Sequence, residues 1–273
     1  MKPIRISWSA LRTHDECGMK ARLIREGKRS PVKDLRNYYH GMVVDSVMQQ
    51  WLADPQRRPG QMTTMVDAAI VDGLTEARSS GDGMVRWRNP DDRAQLRQFC
   101  LDLVDRLEPL LARHVLPYHF RAPYRFEVPV VVAGSTVLLV GEMDILVHHQ
   151  PGYVVLDLKA TADDQYWRRV AGQLTFYDLA VLGLFGEPTR AVGLIQPMCP
   201  QQMLGITITD EDRRQMWARI QRMVEEIRTD AITCKSGTAG CTWCEVRHAC
   251  PRYAPEADSL GLGLRRAAEE ARQ

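Results

Sequence analysis

The stretch Val140–Lys159, VGEMDILVHHQPGYVVLDLK, decides the fold. Two apolar, β-rich runs, Val137–Val147 and Tyr153–Leu158, flank the turn signal Gln150-Pro151-Gly152, and the pattern predicts a hairpin. Asp157 and Lys159 are two residues apart, so on a strand their side chains leave the same face. Asp144 lies on the partner strand. A turn centred on Pro151-Gly152 sets Asp144 opposite Lys159; a turn centred one residue earlier sets it opposite Asp157. Both registers gather the three groups on one face. Their neighbours Met143, Ile145, Leu146, Val155, Leu156 and Leu158 are apolar. Two carboxylates and an ammonium in such surroundings are costly unless paired or metal-bound. A half-solvated salt bridge explains a lone Asp-x-Lys. The larger set suits metal-assisted phosphodiester hydrolysis, because Mg²⁺ and Mn²⁺ take carboxylate and carbonyl oxygens. Leu158, between acid and base, offers its carbonyl as a third oxygen. Lys159 is placed to orient the attacking water or to stabilise the charge that develops.

These residues carry a resemblance. Gly141-x-x-Asp144 followed by Asp157-x-Lys159 resembles the core of the PD-(D/E)XK nucleases, in their RecB-like branch. That branch adds a Gln-x-x-x-Tyr helix directly afterwards, and this chain has Gln173-Leu-Thr-Phe-Tyr177. The resemblance implies that Gln173 and Tyr177 line a DNA channel; a partly buried polar pair on a sheet-packing helix is the plainer alternative. Arg168 and Arg169 are candidate phosphate contacts. The branch also carries Gly-x-x-x-His upstream, whose His binds the metal. Here Gly41 is followed four residues later by Asp45, which can still give Mg²⁺ an oxygen. His40 points about 140° around the helix from Asp45.

The cysteines form the second signal. Cys241-x-x-Cys244 and Cys250-Pro251 place three thiols at ligand spacing, and three need a fourth partner. Cys17, Cys234 and His248 are the candidates. RecB-like nucleases with an iron–sulfur cluster, as in the CRISPR-associated single-domain members, use one Cys ahead of the nuclease motifs and three after them. That resemblance implies a [4Fe–4S] cluster on Cys17, Cys241, Cys244 and Cys250, stapling the two ends together. A structural Zn²⁺ is the alternative.

Elsewhere the chain reads as follows. A short helix opens at Ser7 or Ser9 and ends near Cys17-Gly18. Gly27-Lys28-Arg29-Ser30 is no phosphate loop, since Arg22 stands where the upstream glycine belongs. Its basic neighbours read as a solvated face. A helix runs from Tyr38 through Leu52, and Pro55–Gly60 breaks it. Met62–Arg78 and Asp91–Arg113 are amphipathic helices joined by the linker Ser79–Gly83, with Cys100 in the core. Strands follow at Tyr124–Val132, which carries Glu127, and at Thr136–Val147. A helix capped by Asp163 or Asp164 runs to about Leu184. Two strands, Ala191–Pro197 and Leu204–Thr209, and a helix, Asp210–Arg228, complete the core, with Cys199 in a loop.

The 273 residues, 45% hydrophobic, suit one α/β domain over 1–253: a mixed sheet flanked by helices. Its parts are a helical insertion at about 53–115, a nuclease core at about 118–230, an iron–sulfur lobe made of Cys17 with 234–253, and a tail at 254–273. The net charge of +2 permits a local basic channel but does not argue for one. No apolar run approaches the roughly 18 residues of a membrane span, and no apolar signal segment opens the chain. A cytoplasmic protein is expected, and its seven cysteines then favour metal over disulfides. The expected activity is a Mg²⁺/Mn²⁺-dependent DNA exonuclease on single-stranded or duplex ends, in recombination, repair or CRISPR adaptation. With no helicase motif visible, unwinding falls to a partner. The rival expectation is a non-catalytic DNA-end or adaptor module.

Overall fold

The computed structural model describes residues 3–28, 36–79, 91–235, 239–242 and 244–252. Arg29 and Ser30 of the basic stretch, residues 80–83 of the linker, Tyr253 and the tail 254–273 lie outside the described residues. The chain divides into two compact units. One holds residues 1–5, 31–131 and 135–217; the other holds 6–30, 132–134 and 218–273.

In the first unit three helices, α3 (Arg36–Ala53), α4 (Gln61–Ser79) and α5 (Asp91–His114), form an apolar layer. Here α1 (Trp8–Glu16) and α2 (Gly18–Arg25) precede them in the chain. Val43, Val44, Val47 and Met48 of α3 and Cys100, Leu103, Val104, Leu107 and Leu111 of α5 recur at three- and four-residue spacing and are buried. They share one core with Ile145, Val147, Leu156, Leu158 and Ile195. The helices therefore cover one face of a five-stranded sheet. That sheet runs β2 (His119–Arg121), β5 (Ile145–His148), β6 (Tyr153–Leu158), β7 (Ala191–Ile195), β8 (Met203–Ile206). Within this sheet, among the described strands, only β6 and β7 pair in parallel, joined through α6 (Trp167–Phe185), as a parallel crossover requires. A second sheet has the order β1 (Ile4–Ile6), β4 (Ser135–Met143), β3 (Tyr124–Val132). Glu127, on the edge strand β3, pairs with Arg5 at 2.8 Å in solvent.

The second unit contains α1 and α2, the C-terminal part of α7 (Asp210–Thr229), a short helix α8 (Ala239–Thr242) and a 3-10 turn, Arg247–Ala249. Ser7 caps α1, accepting from Ala10 N–H. The i,i+4 pairs Lys20–Glu16 and Arg22–Glu26 support α2, which the sequence reading treated only as a basic face.

Three expectations need correction. The strand Thr136–Val147 is two strands in two sheets, broken at Asp144. The Asp144 carboxylate accepts the Leu158 N–H at 2.7 Å, so a side chain takes a hydrogen bond that a ladder carbonyl would otherwise receive. The single mixed sheet is accordingly two sheets. Finally, neither Asp163 nor Asp164 caps α6, which starts at Trp167. Asp163 instead accepts from Gln165 N–H, and its carbonyl accepts from Tyr166 N–H, closing a separate turn.

Candidate active site

The β5–β6 ladder settles the register. Ile145 faces Leu156 and His148 faces Tyr153, so the turn centres on Gln150-Pro151 and Asp144 stands across from Asp157. Of the two registers the sequence allowed, this is the one that opposes the two acids. Gly141 has a specific reason to lack a side chain. A Cβ there would lie 2.7 Å from the Phe126 ring, which packs edge-on against Tyr177. The Tyr177 hydroxyl in turn donates to the Glu142 carbonyl at 2.7 Å, tying α6 to the end of β4.

Asp157 is fully buried. Its Oδ1 accepts from Gln173 Nε2 at 3.1 Å, and its Oδ2 faces the Lys159 ammonium at 2.5 Å. The same Gln173 amide donates to the Tyr177 hydroxyl at 2.8 Å. Gln173 and Tyr177 thus stand directly behind Asp157, where Gln173 orients the carboxylate and Tyr177 is itself buried. Neither lines the cavity in front.

That cavity, of about 530 Å³, is lined by Asp45, Asp144, Leu158 and Lys159 together with His40, Ala160, Thr161 and Tyr166. Asp45 Oδ2 accepts from Gln49, while its Oδ1 is buried with no hydrogen-bond partner among the described residues. His40 lines the same cavity, although the helical-wheel count turned it away. Its Nε2 lies 3.2 Å from the Ala160 carbonyl, because the loop after β6 wraps around to meet the first turn of α3. Tyr166 and Thr161 were not singled out from sequence. A signal for Tyr166 was the run Tyr166-Trp167-Arg168-Arg169, in which Arg169 sits over the Tyr166 ring at 5.6 Å and Arg168 over Trp167 at 5.5 Å. Asp178 was also missed. It is buried, accepts from Thr189 N–H and hydroxyl, and pairs with Arg213 at 2.6 Å. An acid inside the apolar helix run Leu174–Leu184 was the available hint; its partners make it structural.

Electrostatics follow from this crowding. Burial pushes the Asp45 carboxyl up to about 6, with Glu142 and Asp157 adding to it and Gln49 and Lys159 opposing. Burial and the Asp157 charge hold Asp144 well above the usual carboxylate range. Burial also raises Asp157, against the pull of Lys159. Burial alone would lower the Lys159 ammonium, but Asp157 and Asp144 outweigh it and the net direction is up. Acidic oxygens held in this way fit a divalent cation: it would supply the missing partner of Asp45 Oδ1 and relieve the repulsion among the three carboxylates.

A family model of the PD-(D/E)XK nuclease superfamily matches residues 5–251. The chain belongs to the PD-(D/E)XK nuclease superfamily. Curated proteins give no match. A solved structure from Eubacterium rectale, described as "Putative exonuclease", is similar over 87% of each chain at 13% identity, with a TM-score of 0.54. A structure described as SSO0001 is similar over 93% of this chain and 88% of its own, at 15% identity and a TM-score of 0.40. The Eubacterium rectale likeness supports the PD-(D/E)XK fold alone.

The second unit of this nuclease-superfamily chain holds a different pocket. Cys17, Cys234, Cys241, Cys244 and Cys250 all line one cavity of about 320 Å³. The C-terminal spacing has a backbone cause. Cys244 N–H donates to the Cys241 carbonyl, Arg247 N–H to that of Cys244, and Cys250 N–H to that of Arg247. Successive three-residue turns eclipse side chains three apart, so all four of these residues line the cavity. His248 is exposed and does not line it. Burial, with the thiols of Cys17 and Cys250 alongside, pushes the Cys234 thiol up to about 11. Cys100 and Cys199 are buried elsewhere, in the first unit. Among the described residues no three His, Cys, Asp or Glu side chains already stand as close as a bound metal ion draws them. The donor set nevertheless fits a thiophilic metal group, since such sites close around the metal as it binds. No described helix is long and apolar enough to cross a membrane.

Proposed function

We propose that the chain is a Mg²⁺- or Mn²⁺-dependent DNA exonuclease of the RecB-like branch. It hydrolyses phosphodiester bonds at DNA ends, with single-stranded ends as the substrate. The observation that carries this is the convergence of Asp45, Asp144 and Lys159 on one cavity, with Asp157 locked behind Lys159 and Asp45 Oδ1 lacking a partner. Asp45, Asp144, Asp157 and the Leu158 carbonyl would hold the divalent ion. When bound, the ion polarises the phosphoryl group and acidifies water.

The chain's own groups do the rest. Leu158 N–H fixes the Asp144 carboxylate, and Gln173 fixes that of Asp157. Lys159 stays charged at neutral pH because its two acidic neighbours outweigh burial. It therefore works as a hydrogen-bond donor and not as a base, steadying the attacking water and the negative charge on the phosphoryl oxygens. Asp45, near 6, ionises readily as a cation arrives. Arg168 and Arg169, both exposed, would meet phosphates.

Cys17, Cys241, Cys244 and Cys250 would hold a structural [4Fe–4S] cluster, with Zn²⁺ as the alternative. Together with 234–253, Cys17 makes the lobe of a single nuclease domain over 1–253 that also carries the 53–115 insertion. Recombination, repair or CRISPR adaptation is the setting, with a helicase as partner where duplex must be opened.

The test is degradation of end-labelled single-stranded DNA with Mn²⁺ or Mg²⁺, using 5′- and 3′-blocked substrates, for wild type, Asp157→Ala and Lys159→Ala. Cleavage by wild type and loss in both variants is the expected result. Activity surviving both substitutions rejects the site. A wild type inactive with either metal would return the chain to the adaptor class.

A further inference from the structure

The cysteine cavity contains one thiol more than a four-ligand metal group can use. A cubane cluster and a structural zinc each take four cysteines at most. Five line this cavity. Cys241, Cys244 and Cys250 come from consecutive turns and form one side of it. The remaining two, Cys17 and Cys234, come from separate segments that are held together.

Gly18 explains how. A Cβ on Gly18 would meet the Thr233 carbonyl at 3.0 Å and the Ile232 side chain at 3.1 Å. A side chain there would press on this segment and on the Glu226 carboxylate, so its absence lets residues 232–233 pack closely against the start of α2. Met19 N–H donates to that same Thr233 carbonyl at 3.2 Å. Thr233 N–H is held by Glu226, and the Lys235 ammonium by the Asp15 carbonyl. Cys234, between these anchored residues, is exposed, and its thiol lines the cavity together with those of Cys17 and Cys250.

We propose that Cys234 is a built-in alternate ligand, sharing with Cys17 one coordination position of the thiol-bound metal group. This rests on the cluster reading above. Cys241, Cys244 and Cys250 hold three positions permanently. The fourth passes between Cys17 and Cys234, which lie side by side at the start of α2, so the site retains its metal when either thiol is lost.

The test uses the full chain purified without oxygen and reconstituted with iron and sulfide, and in a parallel arm with Zn²⁺. Metal and sulfide per chain are measured for wild type, Cys17→Ser, Cys234→Ser, the double variant and Cys244→Ser. Brief iodoacetamide treatment of the loaded wild type, mapped by peptide mass, needs no variant to fold. Each single change at Cys17 or Cys234 should keep at least half of the wild-type metal, and the double change less than a tenth. The label should fall once per chain, divided between Cys17 and Cys234. The inference is overturned if Cys17→Ser empties the site as fully as Cys244→Ser and the label falls on Cys234 alone. The reverse pattern overturns it equally. A wild type that takes up neither iron and sulfide nor zinc instead refutes the cluster reading, and leaves the nuclease assay untouched.

Discussion

The acidic cavity of the first unit and the cysteine cavity of the second, each proposed above to hold a metal, are built in opposite ways. Asp157 sits on β6, Asp144 at the break between β4 and β5, and Asp45 on α3, and backbone and side-chain donors hold each one: Leu158 N–H for Asp144, Gln173 and Lys159 for Asp157, Gln49 for Asp45. These bonds fix the carboxylates in place at the cost of crowding like charges, and among the described residues they stand further apart than a bound ion would draw them. The thiols sit on short turns with a small core, Leu23, Val246 and Cys250, beneath them. Backbone hydrogen bonds within the turns and this small core are what the structure gives to hold them. The difference separates a site in which protein order prepares for the ion from one in which the ion completes the order.

The sharpest way to break the comparison is to remove the charges of the acidic cavity. Asp157→Ala and Lys159→Ala should each reduce phosphodiester cleavage by about 10³-fold. Metal bound by the cysteines should not change, since no carboxylate takes part there. An iron or zinc content that falls with activity would show that the two sites are one folding unit in energetic terms.

Next in size is the reciprocal change. Cys244→Ala should empty the thiol site and expose α2 and the 241–250 turns to rapid hydrogen exchange. Divalent-ion binding at the acids, followed by titration calorimetry, should stay within about twofold of wild type. A smaller effect is expected at Gln173. It bonds Asp157 and does not line the cavity, so Gln173→Ala should weaken Mn²⁺ affinity or activity by about 10- to 100-fold. A fall in activity with Mn²⁺ affinity unchanged would mean that Gln173 meets the nucleic acid instead.

The two regions were also unequally legible in the sequence. Two apolar, β-rich runs and the turn residues between them announced the hairpin, and helical periodicity announced α3 and α5 almost to the residue. The break at Asp144 was hidden because it depends on one side chain reaching a backbone N–H fourteen residues away. The start of α6 was hidden because two aspartates advertise caps, and one of them closes a preceding turn instead. Strands β1 and β2, three residues each, carry too little pattern to read. Cys241-x-x-Cys244 and the Cys250-Pro251 pair six residues on gave away three thiols of the second cavity. Cys234 stood in the sequence only as one candidate beside Cys17 and His248, and its place on the cavity depends on its segment packing against Gly18, which no sequence pattern announces.

The smallest effect separates the cavities by pH. Asp45 has a folded pKa of about 6, against about 3.9 in an unfolded chain. A carboxyl raised by folding favours the folded state while protonated, so its contribution is complete below about pH 4 and is lost as pH rises through 6. Asp144 and Asp157 are raised too and act with the same sign. Lys159 stays protonated across this window and adds no slope. Asp54, Asp67 and Asp212, held low by hydrogen bonds from Gln61, Arg97 and Thr209, pull the other way. The informative quantity is therefore the difference between wild type and Asp45→Asn, both free of divalent metal. Wild type should lose about 2 kcal/mol relative to the variant between pH 4 and 7.5, several degrees of Tm by scanning calorimetry. Mn²⁺ should restore wild type more at pH 7.5 than at pH 5, because it binds the ionised form, and should do less for Asp45→Asn. Parallel Tm curves for the two proteins would mean that Asp45 ionises without cost, and the acidic cavity would then be no more strained in the absence of metal than the thiols are.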